Sequence, residues 1–63
     1  MENENEVVVI MKNMESQFEE AAGDAMKFAE GNSSAGTRVR KAMQNIKNLA
    51  QQVRLEVQSQ KNA

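Results

Sequence analysis

Apolar residues recur at alternating intervals of four and three along both halves of this 63-residue chain. The first stripe consists of Val7, Met11, Met14, Phe18, Ala21, Ala25 and Phe28. The second stripe consists of Val39, Met43, Ile46, Ala50, Val53 and Val57, and it is widened by Ala42 and Leu49. This spacing keeps one side of an α-helix facing a partner helix. We therefore predict helix 1 over residues 4–30 and helix 2 over residues 35–60.

The run from Val7 to Ile10 is the one segment that favours a strand instead. Its four consecutive β-branched residues have high β-propensity. The run is short, however, and no second strand-like run exists to pair with it. The sequence therefore predicts an all-α fold.

A turn signal from Gly31 to Ser34 separates the two stripes. Gly31 can adopt the left-handed conformation that ends a helix, and the polar residues after it offer oxygens that cap the next helix. Because a turn over residues 31–34 is short, we expect an antiparallel helical hairpin, in a single domain spanning residues 1–63. Gly36 is expected either to fray the first turn of helix 2 or to mark a close approach to its backbone.

A hairpin of this size has few means of stabilising itself. Large core side chains are scarce, because the only aromatic residues are two phenylalanines. With no cysteine and no histidine, the chain has neither a disulfide nor the usual ligands of a structural metal. Self-association is the remaining way to stabilise the fold, and we predict a dimeric four-helix bundle. Its predicted interface consists of Val7, Met11, Met14, Phe18, Met26, Phe28, Val39, Met43, Ile46, Leu49, Val53 and Val57.

The charges are divided between the two halves, although the net charge of the chain is only −1. Residues 1–30 carry eight acidic and two basic side chains, a net charge of −6. Residues 31–63 carry six basic side chains and one acidic side chain, a net charge of +5. An acidic helix beside a basic one favours the antiparallel hairpin and leaves helix 2 as the candidate surface for a polyanion.

Catalysis and membrane insertion are both disfavoured. Histidine, cysteine and tyrosine are absent, and the carboxylates fall mostly on a solvated helix surface. No apolar run approaches the roughly 18 residues of a membrane span, and the acidic N-terminus lacks the basic region of a signal peptide. We therefore predict a soluble, cytoplasmic, non-enzymatic protein without a cofactor, a metal or a small-molecule substrate.

Basic and hydroxyl side chains of helix 2 are the candidate DNA contacts. The first turns of the helix combine cations with the unpaired N–H groups and positive dipole end that attract an anion. Farther along, cations recur every seven residues, which keeps them on one side of the helix. The predicted DNA-binding residues are Ser34, Thr37, Arg38, Arg40, Lys41, Lys47, Arg54 and Lys61.

Two interpretations of the seven-residue series are open. The cations can follow a nucleic-acid backbone by neutralising phosphates, without reading base edges. Alternatively, they pair with Glu15, Glu19 or Asp24 of the neighbouring helix and fix the register of the helices. Spacing alone does not decide between the two.

The segment around the turn resembles a known family. Glu30-Gly31-Asn32, followed by Ala35-Gly36-Thr37-Arg38-Val39-Arg40-Lys41-Ala42, is similar to the core of the bacterial linker-histone-like proteins of chlamydial type. The layout is closest to the short Bacteroidetes members, and the similarity covers roughly residues 28–56. Helix 1 matches in character only.

The resemblance implies a nucleoid-associated protein that binds and compacts DNA without strong sequence preference. The candidate DNA contacts that this resemblance implies are Thr37, Arg38, Arg40, Lys41, Lys47 and Arg54. The 63 residues hold no Lys- and Ala-rich tail like that of the family, so the implied DNA binding is weak. The alternative is a structural module that associates only with itself or with another helical protein.

Overall fold

The computed structural model describes residues 4–63 and consists, over those residues, of two helices and no strand. Helix α1 runs from Glu6 to Ala29 and helix α2 from Ser33 to Lys61. The helices pack antiparallel, and the side-chain amides of Asn5 and Gln60 exchange hydrogen bonds of 2.7 and 2.9 Å at the open end. The all-α prediction is confirmed, while residues 1–3 of the predicted domain lie outside the described part.

Capping side chains determine where each helix begins. The side chain of Asn5 accepts a hydrogen bond of 2.8 Å from the N–H of Val7, so the β-branched run after it forms the first turns of α1 and no strand. The side chain of Asn32 accepts a bond of 3.0 Å from the N–H of Ala35. Because Asn32 is the cap, α2 begins two residues earlier than predicted.

The turn is closed by Gly31, whose φ of 107° lies in the left-handed region. The N–H of Gly31 donates to the carbonyl of Phe28, and the N–H of Asn32 donates to the carbonyl of Lys27, both at 3.0 Å. These two bonds form a Schellman motif and satisfy carbonyls that the end of α1 would otherwise leave unpaired. The chain therefore reverses within three residues.

The contact between the helices is offset from the apolar stripes. On α1 the buried and half-buried residues are Val7, Ile10, Met14, Gln17, Ala21 and Asp24. On α2 they are Ala35, Gly36, Val39, Ala42, Ile46, Leu49, Ala50, Val53 and Glu56. Met11 and Phe18, which belong to the predicted stripe, are 51% and 62% exposed. One side of each stripe packs inside the hairpin, and its other side faces outward.

The outward sides of both stripes lie on the same face of the hairpin. Phe18, Ala22 and Ala25 of α1 line one groove together with Val39 and Met43 of α2. The seven-residue repeat extends this surface along both helices. We call it the apolar face, and it consists of Met11, Phe18, Ala25, Val39, Met43, Ala50 and Val57. Only Ile10, Ala21 and Ala35 are buried hydrophobic residues within the described chain, so a single hairpin leaves much of its apolar surface in water.

Candidate nucleic-acid interface

Four cations lie along one side of α2. Arg40, Lys47, Arg54 and Lys61 are all exposed, and α2 is continuous from the first to the last of them. Each follows the previous one by seven residues, so they form a row that we call the basic edge. The row borders the apolar face, since Lys47 and Arg54 line one shallow groove with Ala50 and Gln51.

None of the cations of the basic edge forms an ion pair with another residue of 4–63. The ion pairs in this part of the chain join Lys12 to Glu4 and Arg38 to Asp24. The hydrogen bond to Glu4 and the charge of that carboxylate raise the pKa of Lys12. Pairing of the basic edge with Glu15, Glu19 or Asp24 of the same hairpin, one of the two interpretations of its spacing, is therefore not found.

Two predicted contacts, Arg38 and Lys41, lie on the opposite side of the hairpin. They line a polar groove together with Gln17, Glu20 and Asp24 of α1. The Arg38 guanidinium is 3.0 Å from the Asp24 carboxylate, which is only 20% exposed. The predicted DNA-binding residues are thus divided between two surfaces, and Arg38 already has an acidic partner.

The turn end of the basic edge combines hydroxyls, a cation and an aromatic ring. Ser33, Thr37 and Arg40 line a concavity together with Phe28 and Gly36. Ser34 is exposed one residue farther along the first turn of α2. One N–H of this turn, that of Ala35, is taken by the cap, so fewer backbone donors remain for an anion than an uncapped terminus would offer.

Comparison with protein families identifies the chain. The family model described as Histone H1-like protein Hc1 matches residues 10–63. The chain belongs to this family. The histone H1-like family comprises histone-like, DNA-compacting proteins, which are structural DNA-binding proteins. The resemblance inferred from the turn segment is therefore confirmed. A search of curated proteins and a search of solved structures each found no match.

The match to the histone H1-like family is longer than the sequence motif indicated. It starts at Ile10 and includes most of α1, whereas the motif covered roughly residues 28–56. Both helices of the hairpin therefore belong to the family's module. Within residues 4–63, neither helix is long and apolar enough to cross a membrane.

Sequence reasoning missed one feature of this surface. Phe28 was assigned only to an oligomer interface, but it lines the same concavity as Thr37 and Arg40. The seven-residue spacing of Gln44, Gln51 and Gln58 indicated amides in one row with the cations, and Gln51 lines one groove with Lys47 and Arg54.

Proposed function

We propose that this histone-like protein binds duplex DNA without sequence preference through phosphate contacts of the basic edge of α2. The observation that carries the proposal is the row of exposed cations that have no acidic partner within residues 4–63. Ser34 and Thr37 add hydroxyl donors at the turn end. Membership of the histone H1-like family supports DNA as the ligand.

The reach of the basic edge limits its affinity. Seven residues of α-helix rise about 10 Å, so the four cations span roughly 30 Å, close to one turn of B-DNA. A straight helix cannot follow a phosphate backbone that winds through a full turn. About two or three of the four cations are therefore expected to reach phosphates of one duplex, which gives weak, salt-dependent binding.

We further propose that the protein is a homodimer whose two hairpins join through their apolar faces. In an isolated two-helix pair, the apolar stripe would be centred on the contact between the helices. In a four-helix bundle, each helix has two neighbours and its stripe is directed between them. The offset of both stripes toward the apolar face fits the second geometry. Burial of Phe18 and Met43 would supply the stability that one hairpin lacks.

Self-association without DNA binding is the second candidate function. The apolar face supports it equally well, because none of the residues of that face belongs to the basic edge. The two candidates differ in what the cations do, so removing charge from the basic edge separates them.

The test is a fluorescence anisotropy titration of duplex DNA at about 50 mM salt with two matched double variants. Arg40→Gln/Lys47→Gln removes two charges from the basic edge. Arg38→Gln/Lys41→Gln removes the same residue types from the polar groove. We expect the first variant to lose about tenfold in affinity and the second to lose less than about threefold. Equal losses, or no binding by the unsubstituted protein, would reject the proposed surface.

A further inference from the structure

We propose that the two hairpins of the dimer face each other with α1 of each copy across from α2 of the other. This arrangement brings Glu15 beside Lys47 of the second copy. The inference rests on the proposed homodimer and specifies how its subunits are oriented. It follows from the charges that flank the apolar face and from the heights of residues along the hairpin, where height means the position of a residue along the helix axes.

Residues of opposite character flank the two sides of the apolar face. On the α2 side, the flanking positions are those of the basic edge. On the α1 side, the equivalent positions of the seven-residue repeat are Val8, Glu15, Ala22 and Ala29, which are all exposed. One flank is thus cationic throughout, and the other is apolar with one carboxylate.

Two hairpins can join their apolar faces with twofold symmetry in two ways. If the twofold axis is perpendicular to the helices, α2 lies across from α2 of the second copy, and the two cationic flanks meet. If the axis is parallel to the helices, α1 lies across from α2 of the second copy, and each cationic flank meets the α1 flank, which carries one carboxylate and no cation. Like charges in such flanking positions repel, so the charges favour the parallel axis.

Residue heights support the same arrangement. Gln17 and Asn45 line the same groove, and Asp24 pairs with Arg38, so Glu15 and Lys47 lie at nearly the same height along the hairpin. A twofold axis parallel to the helices preserves heights between copies. Glu15 is therefore level with Lys47 of the second copy.

The remaining flanking residues also fit this arrangement. By the same register, Ala22 is level with Arg40 of the second copy, and Val8 is level with Arg54. A small or aliphatic residue opposite an arginine leaves room for the stem of the side chain to pack while its guanidinium reaches water. The cations thus stay accessible at the rim of the interface.

The arrangement has a consequence for DNA. Rotation about an axis parallel to the helices puts the two basic edges on opposite sides of the dimer. Each dimer then presents two separate surfaces to phosphates and is able to hold two duplex segments. With the perpendicular axis, both basic edges would lie on one side and serve a single duplex.

Reciprocal charge reversal tests the arrangement by the dimer dissociation constant, measured by sedimentation equilibrium. Lys47→Glu and Glu15→Lys each create like-charge contacts twice per dimer, and we expect each to weaken the dimer by about tenfold. The double variant Glu15→Lys/Lys47→Glu restores both contacts and is expected to return close to the original constant. Lys41→Glu, in the polar groove, is the matched control and is expected to change the constant by less than about threefold.

A mixed disulfide provides an independent test, since the chain has no cysteine of its own. Chains carrying Met11→Cys and chains carrying Ala50→Cys are mixed and oxidised. We expect the mixed disulfide to dominate, because these residues of α1 and α2 face each other across the proposed interface. A perpendicular axis inverts heights and would separate Met11 from Ala50 of the second copy by more than the reach of a disulfide, so absence of the mixed disulfide would overturn the arrangement.

The outcomes separate the orientation from the dimer itself. A tighter dimer for Lys47→Glu, or no rescue by the double variant, overturns the orientation and leaves the dimer intact. A monomeric mass for the unsubstituted protein overturns the proposed dimer and the orientation with it. Neither result removes the exposed cations of the basic edge, so DNA binding is tested separately, by the anisotropy titration.

Discussion

The ring of Phe28 lies directly against the backbone of Gly36, where α1 ends and α2 begins. A Cβ atom built on Gly36 would lie 2.5 Å from Cδ1 of that ring, which is closer than packed atoms approach. The absence of a side chain at Gly36 therefore allows an aromatic residue to pack across the turn, although 56% of Phe28 remains exposed. This contact explains a glycine inside a helix, where it costs about 1 kcal/mol relative to alanine.

Gly36→Ala is expected to give no net stabilisation. The gain of about 1 kcal/mol in helix propensity is offset, because the new methyl group displaces the Phe28 ring. Gly23→Ala is the control, since a Cβ at Gly23 meets no atom within 4 Å. We expect that variant to raise the free energy of unfolding by about 1 kcal/mol, measured by urea denaturation. In a Phe28→Ala background, Gly36→Ala should recover the full gain, and a full gain with Phe28 in place would contradict the packing role.

Phe18→Glu is expected to dissociate the proposed dimer, because it puts a charge in the middle of the apolar face. Leu55→Glu is the matched control. Leu55 is 60% exposed, close to the 62% of Phe18, but it lies away from the apolar face. Light scattering should report a monomer for the first variant and a dimer for the second. A dimer in both cases would mean that the apolar face is not the interface.

Asp24→Asn removes the acidic partner of Arg38. Both side chains of the pair reach solvent, 20% exposed for Asp24 and 50% for Arg38, so we expect a loss of only about 0.5 kcal/mol in the free energy of unfolding. Glu20→Gln is the control, because it makes the same change of charge in the same groove and Glu20 forms no ion pair with another residue of 4–63. Thermal unfolding of both variants measures the difference. An equal effect of the two substitutions would show that the ion pair contributes nothing specific.

The sequence predicted the two helices and the turn because these depend on local signals. Gly31 and Asn32 provide the end of one helix and the cap of the next, and the spacing of the apolar residues indicates helical stripes. Family membership could also be predicted, because the turn segment contains the motif of the family. Helices, turn and motif can all be recognised without knowing which surfaces of the helices pack together.

The spacing of the apolar residues does not predict how each stripe is oriented relative to the other helix of the hairpin. A repeat of four and three identifies the apolar side of a helix, but it does not say whether one neighbour or two cover that side. Gln17 therefore packs inside the hairpin while Phe18, the next residue, faces outward. For the same reason, the ion-pair partners of the cations could not be predicted. Arg38 faces Asp24, whereas Arg40, two residues later, points to the other side of the hairpin.

The salt dependence of DNA binding tests the central claim most directly. If two or three cations of each basic edge neutralise phosphates, a plot of log affinity against log salt concentration should have a slope of about −2 to −3 per hairpin. Arg40→Gln/Lys47→Gln should make that slope shallower by up to about 2. A slope near zero, or an equal slope for the unsubstituted protein and this variant, would contradict phosphate binding by the basic edge.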